Sequence, residues 1–116
     1  MVTNVARRLD ATFSALSDPT RRAILVRLIQ GEATVSEIAA PFAISRPAVS
    51  KHLKVLDRAG LVSRQRDGRE VLCRFEAGAL IEAGDWLDLH RAFWARQLDQ
   101  LASHLDADIT KGTPPR

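Results

Sequence analysis

The chain has 116 residues, 46% hydrophobic and 27% charged, with one cysteine and a formal net charge of +3. That length and composition suit one globular domain with an ordinary core, and they exclude a disordered chain and a disulfide framework. No run approaches the ~18 apolar residues of a membrane span, and Asn4, Arg7, Arg8 and Asp10 interrupt any apolar leader, so a soluble cytoplasmic protein without a membrane partner is expected.

The charge is unevenly placed. Between Ser45 and Arg74 eight bases stand against three acids, a net +5 that leaves −2 for the rest of the chain. Such a segment suits an anionic partner such as nucleic acid, or simply a solvated basic face.

Val5, Leu9, Phe13 and Leu16 recur at helical spacing and predict a first amphipathic helix over Thr3–Leu16. Asp18-Pro19 pairs a capping acceptor with a first-turn proline and opens a second helix, carried by Ala23, Ile24, Leu25, Leu28 and Ile29 and stopped at Gly31. Thr34-Val35-Ser36-Glu37 has the form of a capping box and starts a short helix ending near Phe42. After a brief turn at Ala43-Ile44, Ser45 caps the next helix, with Pro47 in its first turn and Gly60 just past its end. Its core stripe is Val49, Leu53 and Leu56. The period then changes to that of strands. Leu61–Arg66 and Arg69–Phe75 alternate about Asp67-Gly68, a pair favouring a type I′ hairpin, with Val62, Val71, Cys73 and Phe75 inward and the arginines mostly outward. From Ala77 to Asp106 the helical pattern returns, with Gly84 marking a break between a short helix and a long one. A single domain over residues 1–109 and a disordered polar tail over residues 110–116 complete the expected organisation.

Two short helices followed at once by a basic two-stranded hairpin define a winged helix-turn-helix. The second helix of the pair must bury one face and offer the other to a major groove. On a helical wheel Leu53 and Leu56 fall within about 40° of Val49, while Pro47, Lys51, Lys54 and Arg58 lie opposite at about 140–200°, flanked by Ser50 and Arg46. These side chains donate to phosphates and guanine edges, and Arg64, Arg66 and Arg69 add a basic hairpin tip suited to an adjacent groove.

The stretches LSDPTRRAILVRL, TVSEIAAPFAISRPAVSKHLKVLDRAGLV and RDGRE resemble the ArsR family of bacterial winged-helix repressors, over roughly Phe13 to Leu105. The resemblance implies a homodimer joined by helices from both ends of the chain, repressing by blocking a promoter. It also implies a DNA-reading face of Ser45, Arg46, Pro47, Ser50, Lys51 and His52, with Arg66 and Arg69 on the wing. The metal-sensing members carry a cysteine pair in the third helix. Val35-Ser36-Glu37-Ile38-Ala39 has none, so the arsenic-type site is absent.

His90 and His104 read as helix-surface or interface residues rather than metal ligands, because a closed zinc site needs about four ligands. Cys73 reads as a small buried hydrophobe. Trp94, Leu98, Leu101 and Leu105 form one apolar stripe on the last helix, and Trp86, Leu89 and Phe93 a second. This exceeds what one small domain covers, so a helix from a second copy is expected against it. The interface set is Val5, Leu9, Phe13, Trp86, Phe93, Trp94, Leu98, Leu101 and Leu105. No nucleophile elbow, phosphate loop or zinc-protease motif is present, and no enzyme, cofactor or metal is expected. The expected fold is α+β and mostly helical: a winged helix-turn-helix with a two-stranded wing and a long C-terminal helix. The expected partners are a double-stranded DNA operator with inverted-repeat symmetry and a second copy of the chain, with no effector named. A metal- or redox-sensing repressor using His90, His104 or Cys73, and a winged-helix protein-interaction module, are the alternatives.

Overall fold

Thr3, Asp18, Thr34 and Ser45 each stand just ahead of a helix. In the computed structural model, which describes residues 3–111, each side chain accepts a first-turn amide. The four helices are α1 (Asn4–Leu16), α2 (Pro19–Ile29), α3 (Val35–Ala39) and α4 (Arg46–Arg58). The box at α3 closes in both directions: the Glu37 amide donates to Thr34 Oγ1 at 3.2 Å and the Thr34 amide to Glu37 Oε1 at 2.9 Å. α3 ends at Ala39 rather than Phe42, a correction to the expected length, and a bend through residues 40–44 leads to the Ser45 cap.

Helix ends are closed as deliberately as helix starts. Arg21 and Arg22 reach back from α2 to the last carbonyls of α1, Arg21 donating to Ala15 O (2.7 Å) and Ser14 O (3.1 Å), Arg22 to Leu16 O (2.8 Å). Two guanidinium groups thus satisfy orphan acceptors at the negative end of the α1 dipole. At the end of α4, Gly60 takes a φ of +77°. The Gly60 amide donates to Asp57 O and the Leu61 amide to Leu56 O, the paired bonds of a Schellman turn.

Strands β2 (Val62–Asp67) and β3 (Glu70–Phe75) pair antiparallel, and β1 (Ala33–Thr34) adds to the other side of β3, giving the order β1-β3-β2. Two residues are too few to show an alternating pattern, so β1 was illegible in the sequence. The hairpin turn differs by one residue from the expectation. Asp67 pairs with Glu70, so Gly68 and Arg69 are the central pair, and among them only Gly68 has positive φ (+64°). A type I′ turn requires positive φ at both central residues, whereas glycine at the first suits type II′. The helix α5 (Gly78–Lys111) runs unbroken through Gly84, against the expected break. An interior glycine costs only ~1 kcal/mol relative to alanine, too little to stop a helix with strong formers on either side. α5 includes Thr110 and Lys111, and the rest of the expected tail, residues 112–116, lies outside the described residues.

The chain divides into a unit closing at Ala83 and a second beginning at Gly84. The first holds the core. Ile24, Leu25 and Leu28 of α2, Ile38 of α3, Val49, Leu53 and Leu56 of α4, and Leu61, Val62 and Cys73 of the hairpin region pack together, with Ala15 of α1. Thr12 is buried with its hydroxyl donating to Arg8 O at 2.9 Å, the backbone partner that a buried polar group needs. In the second unit the described α5 side chains are largely solvent-facing.

Candidate nucleic-acid interface

α4 separates its faces cleanly. Val49, Leu53 and Leu56 are fully buried against the core, while Pro47, Lys51, Lys54 and Arg58 are exposed on the opposite side, flanked by an exposed Arg46 and a half-buried Ser50. Ser45 stands at the head of this face, its hydroxyl accepting the Ala48 amide at 3.3 Å. His52 sits elsewhere. It is half-buried toward the start of α2, its Nδ1 3.5 Å from Arg21 Nη1 and 3.9 Å from Asp18 Oδ2. The Arg21 amide holds the Asp18 carboxyl below the usual carboxylate range against partial burial, with smaller help from His52 and the Arg21 side chain. A polar node therefore joins the middle of α4 to the capped start of α2.

On the wing, Arg66 is exposed on β2 and Arg69 is exposed in the turn. Arg64 is engaged: its Nε donates to Asp57 Oδ2 of α4 at 2.8 Å. The expectation that the hairpin arginines point away from the core needs correcting for two of them. Paired residues share a face of the ladder. Arg64 stands opposite Cys73 and Arg66 opposite Val71, so both lie on the side where Cys73 is buried. Period-two alternation from Val62 already implied this. Arg74 lies on the other face and is bound to Glu32 at 2.8 Å.

Among the described residues the cations of α2, α4 and the hairpin, together with Arg8 of α1, thus fall into two sets. Arg8 pairs with Glu82, Arg64 with Asp57 and Arg74 with Glu32, while Arg21, Arg22 and Arg27 donate to backbone carbonyls. Arg46, Lys51, Lys54, Arg58, Arg66 and Arg69 have no ion-pair partner among the described residues. These six lie on the exposed side of α4 and on one hairpin tip, while outside those elements Arg7 of α1 and Arg96 of α5 likewise have no ion-pair partner among the described residues. Cations without a protein counterion are the ones able to replace the condensed counterions of a phosphate backbone.

Of the other residues singled out from the sequence, Cys73 is buried, and burial pushes its thiol up, with Arg64 opposing. A thiol held protonated behind the hairpin is a poor nucleophile. His90 stacks on Trp86 with ring centroids 4.1 Å apart, and its Nδ1–H donates to Trp86 O at 2.8 Å. His104 lies beside Asp99, Gln100 and Ser103. Among the described residues no three His, Cys, Asp or Glu side chains form a group able to hold a metal ion. In the interface set, Val5 and Phe13 of α1 and Trp86, Phe93, Trp94, Leu98, Leu101 and Leu105 of α5 are exposed. Leu9 differs from these eight because it is buried within its own subunit. The sequence reading missed Asp57, Ser36 and Glu70, which contact or hold the wing, and Arg21 and Arg22 at the α1–α2 joint. Only side-chain reach across elements identifies them.

A helix presenting unpaired cations beside a basic hairpin, both built on a three-stranded sheet, defines a winged helix-turn-helix DNA-binding protein. Residues 18–64 match the family model for bacterial regulatory proteins of the ArsR family. The HTH-type transcriptional regulator Rv2034 of Mycobacterium tuberculosis is 41% identical over 102 residues, covering 88% of this chain and 92% of that one. Transcriptional repressor SdpR of Bacillus subtilis is 37% identical over 79 residues, 68% of this chain and 88% of its own length. Among solved structures, an ArsR-like transcriptional regulator from Rhodococcus sp. RHA1 superimposes with a TM-score of 0.74 at 33% identity, over 87% of this chain and 95% of that one. The chain belongs to the ArsR family and is a DNA-binding transcriptional regulator.

Proposed function

We propose that the protein is a cytoplasmic repressor, without catalytic activity, that binds an inverted-repeat operator as a homodimer. The observation that carries this reading is the division of α4, which buries Val49, Leu53 and Leu56 and leaves Arg46, Lys51, Lys54 and Arg58 without counterions among the described residues. Ser45, Arg46, Pro47, Ser50, Lys51 and Lys54 face the major groove, and Arg66 and Arg69 meet the flanking backbone. Repression is supported by the kinship with SdpR, itself named a transcriptional repressor. The dimer is supported by the α5 stripe, where Trp94 and Leu98 are 59% and 62% exposed. Apolar patches of that kind on a soluble chain mark an interaction surface.

Selection of bound duplexes from random DNA, followed by affinity measurements on the selected sequence, tests the reading. The expected product is a twofold-symmetric site whose half-site centres lie about 34 Å, one helical turn, apart or a multiple of it. Selection of no sequence over background, or of a single asymmetric half-site, refutes it.

A further inference from the structure

The wing projects beyond its own core. Val62 and Cys73 are the last buried side chains at its root, and Arg66, Asp67, Gly68 and Arg69 are all exposed. A two-stranded ribbon in that position is free to pivot unless something outside its ladder holds it. Arg74 of β3 does so at the base by pairing with Glu32, and two further side-chain contacts, one on each strand, reach the helix-turn-helix itself. From β2, Arg64 Nε donates to Asp57 Oδ2 near the end of α4 at 2.8 Å. From β3, Glu70 Oε2 accepts the Ser36 hydroxyl of α3 at 3.2 Å. Each strand of the wing is therefore tied to a different helix of the helix-turn-helix, one tie at the root and one at the tip.

We propose that Asp57–Arg64 and Ser36–Glu70 are positioning pairs that set the wing against the recognition helix, and that Arg64 acts through Asp57 rather than on DNA. The inference rests on the reading that α4 and the wing tip both face DNA. Its physical basis is preorganisation. A wing already held in place loses less conformational freedom when Arg66 and Arg69 meet phosphates in register with Arg46 and Lys51. The Asp57 and Arg64 side chains remain 39% and 30% exposed, a setting in which an ion pair adds little to folding stability. Their geometric role is thus separable from stability. It also explains an acidic residue beside a DNA-facing surface, where charge alone would disfavour Asp57.

The two possible roles of Arg64 predict opposite signs, which makes the test decisive. The probe is a duplex selected by the wild-type protein from random DNA, with affinity measured across salt on variants whose circular dichroism matches wild type. As positioning residues, Arg64→Ala, Asp57→Asn and Ser36→Ala each weaken binding by about three- to tenfold, while the slope of log affinity against log salt stays at its wild-type value. Arg64→Lys keeps a partner for Asp57 and restores most of the affinity. Arg66→Ala is the contrast: its loss lowers the slope by about one. If Arg64 contacts phosphate instead, Arg64→Ala lowers the slope in the same way and Asp57→Asn, by removing a negative charge, tightens binding. Either result overturns the proposal. If Lys51→Ala and Arg66→Ala weaken binding while Asp57→Asn and Ser36→Ala do not, the braces alone are refuted. If Lys51→Ala and Arg66→Ala also bind like wild type, the DNA-facing assignment falls and the braces fall with it.

Discussion

Arg46 and Lys51 occupy the first turns of α4, the part of a recognition helix that reaches base edges. Replacing either with alanine is expected to cost on the order of 1–3 kcal/mol and to relax preference at particular base pairs, measured as the ratio of affinities for operator and scrambled DNA. Two other residues carry a pH signature. The Asp18 carboxyl is held below its ordinary range, chiefly by the Arg21 amide, so its stabilising contribution is present above the unfolded carboxylate range of about 4 and is lost as pH falls through the lower folded value. In Asp18→Asn, which still caps the helix, denaturant midpoints should fall less steeply between pH 5 and pH 3 than in wild type. Cys73 works in the opposite direction. Burial raises its folded value, so its contribution is intact below the unfolded thiol value of about 8.5 and is lost as pH rises through the folded one. The native protein should react with a thiol reagent at neutral pH no faster than it unfolds.

The elements differ in how much backbone strain their glycines relieve, and substitution separates them. Gly60 has φ +77° in the Schellman turn, and an added Cβ would meet only the Ala79 Cβ at 3.9 Å, an ordinary contact. The penalty of Gly60→Ala is therefore conformational, about 1–2 kcal/mol. Gly84 sits inside α5 with nothing within 4 Å of an added Cβ. Gly84→Ala should stabilise by about 0.5–1 kcal/mol, seen as a higher denaturant midpoint. A loss of stability there would show that the helix does break at Gly84. Leu53, fully buried on α4, provides the unfolding control for every binding experiment: Leu53→Ala should cost about 2–5 kcal/mol through the cavity it leaves.

At the scale of the whole molecule the described part of α5 after Ala83 presents Leu89, Trp94, Leu98, Leu101 and Leu105 to solvent, with Trp94 edge-on to Phe93 at 5.3 Å. A second copy covering these side chains would remove from water the most exposed large apolar groups described in that unit. Trp94→Arg puts a charge into the proposed contact, and the mutant should sediment as a monomer with weakened operator binding while the residues up to Ala83 stay folded. A wild-type protein that sediments as a monomer at micromolar concentration would exclude the homodimer. Dimerisation and DNA affinity are expected to fail together, because a lone subunit engages one half-site and forfeits the gain of holding two.

Helix starts, the α4 wheel and the basic tip were legible in the sequence because each depends on residues within one or two turns of each other. Ser45, Thr34 and Asp18 cap the amides three residues on, and Val49, Leu53 and Leu56 share a face by helical periodicity alone. The same locality explains the misjudged turn: the ladder sets which pair closes the hairpin, and Asp67 pairs with Glu70 across a register that no dipeptide encodes. Partners distant in sequence were beyond reach for the same reason. Ser36 and Glu70 are 34 residues apart, Arg74 and Glu32 are 42, and β1 exists only because β3 lies beside it. Sequence by itself determined which cations this protein carries and on which elements. Only the tertiary structure decided which of them its own carboxylates and carbonyls already hold, because ion pairing depends on distance in space, and so which remain free for DNA.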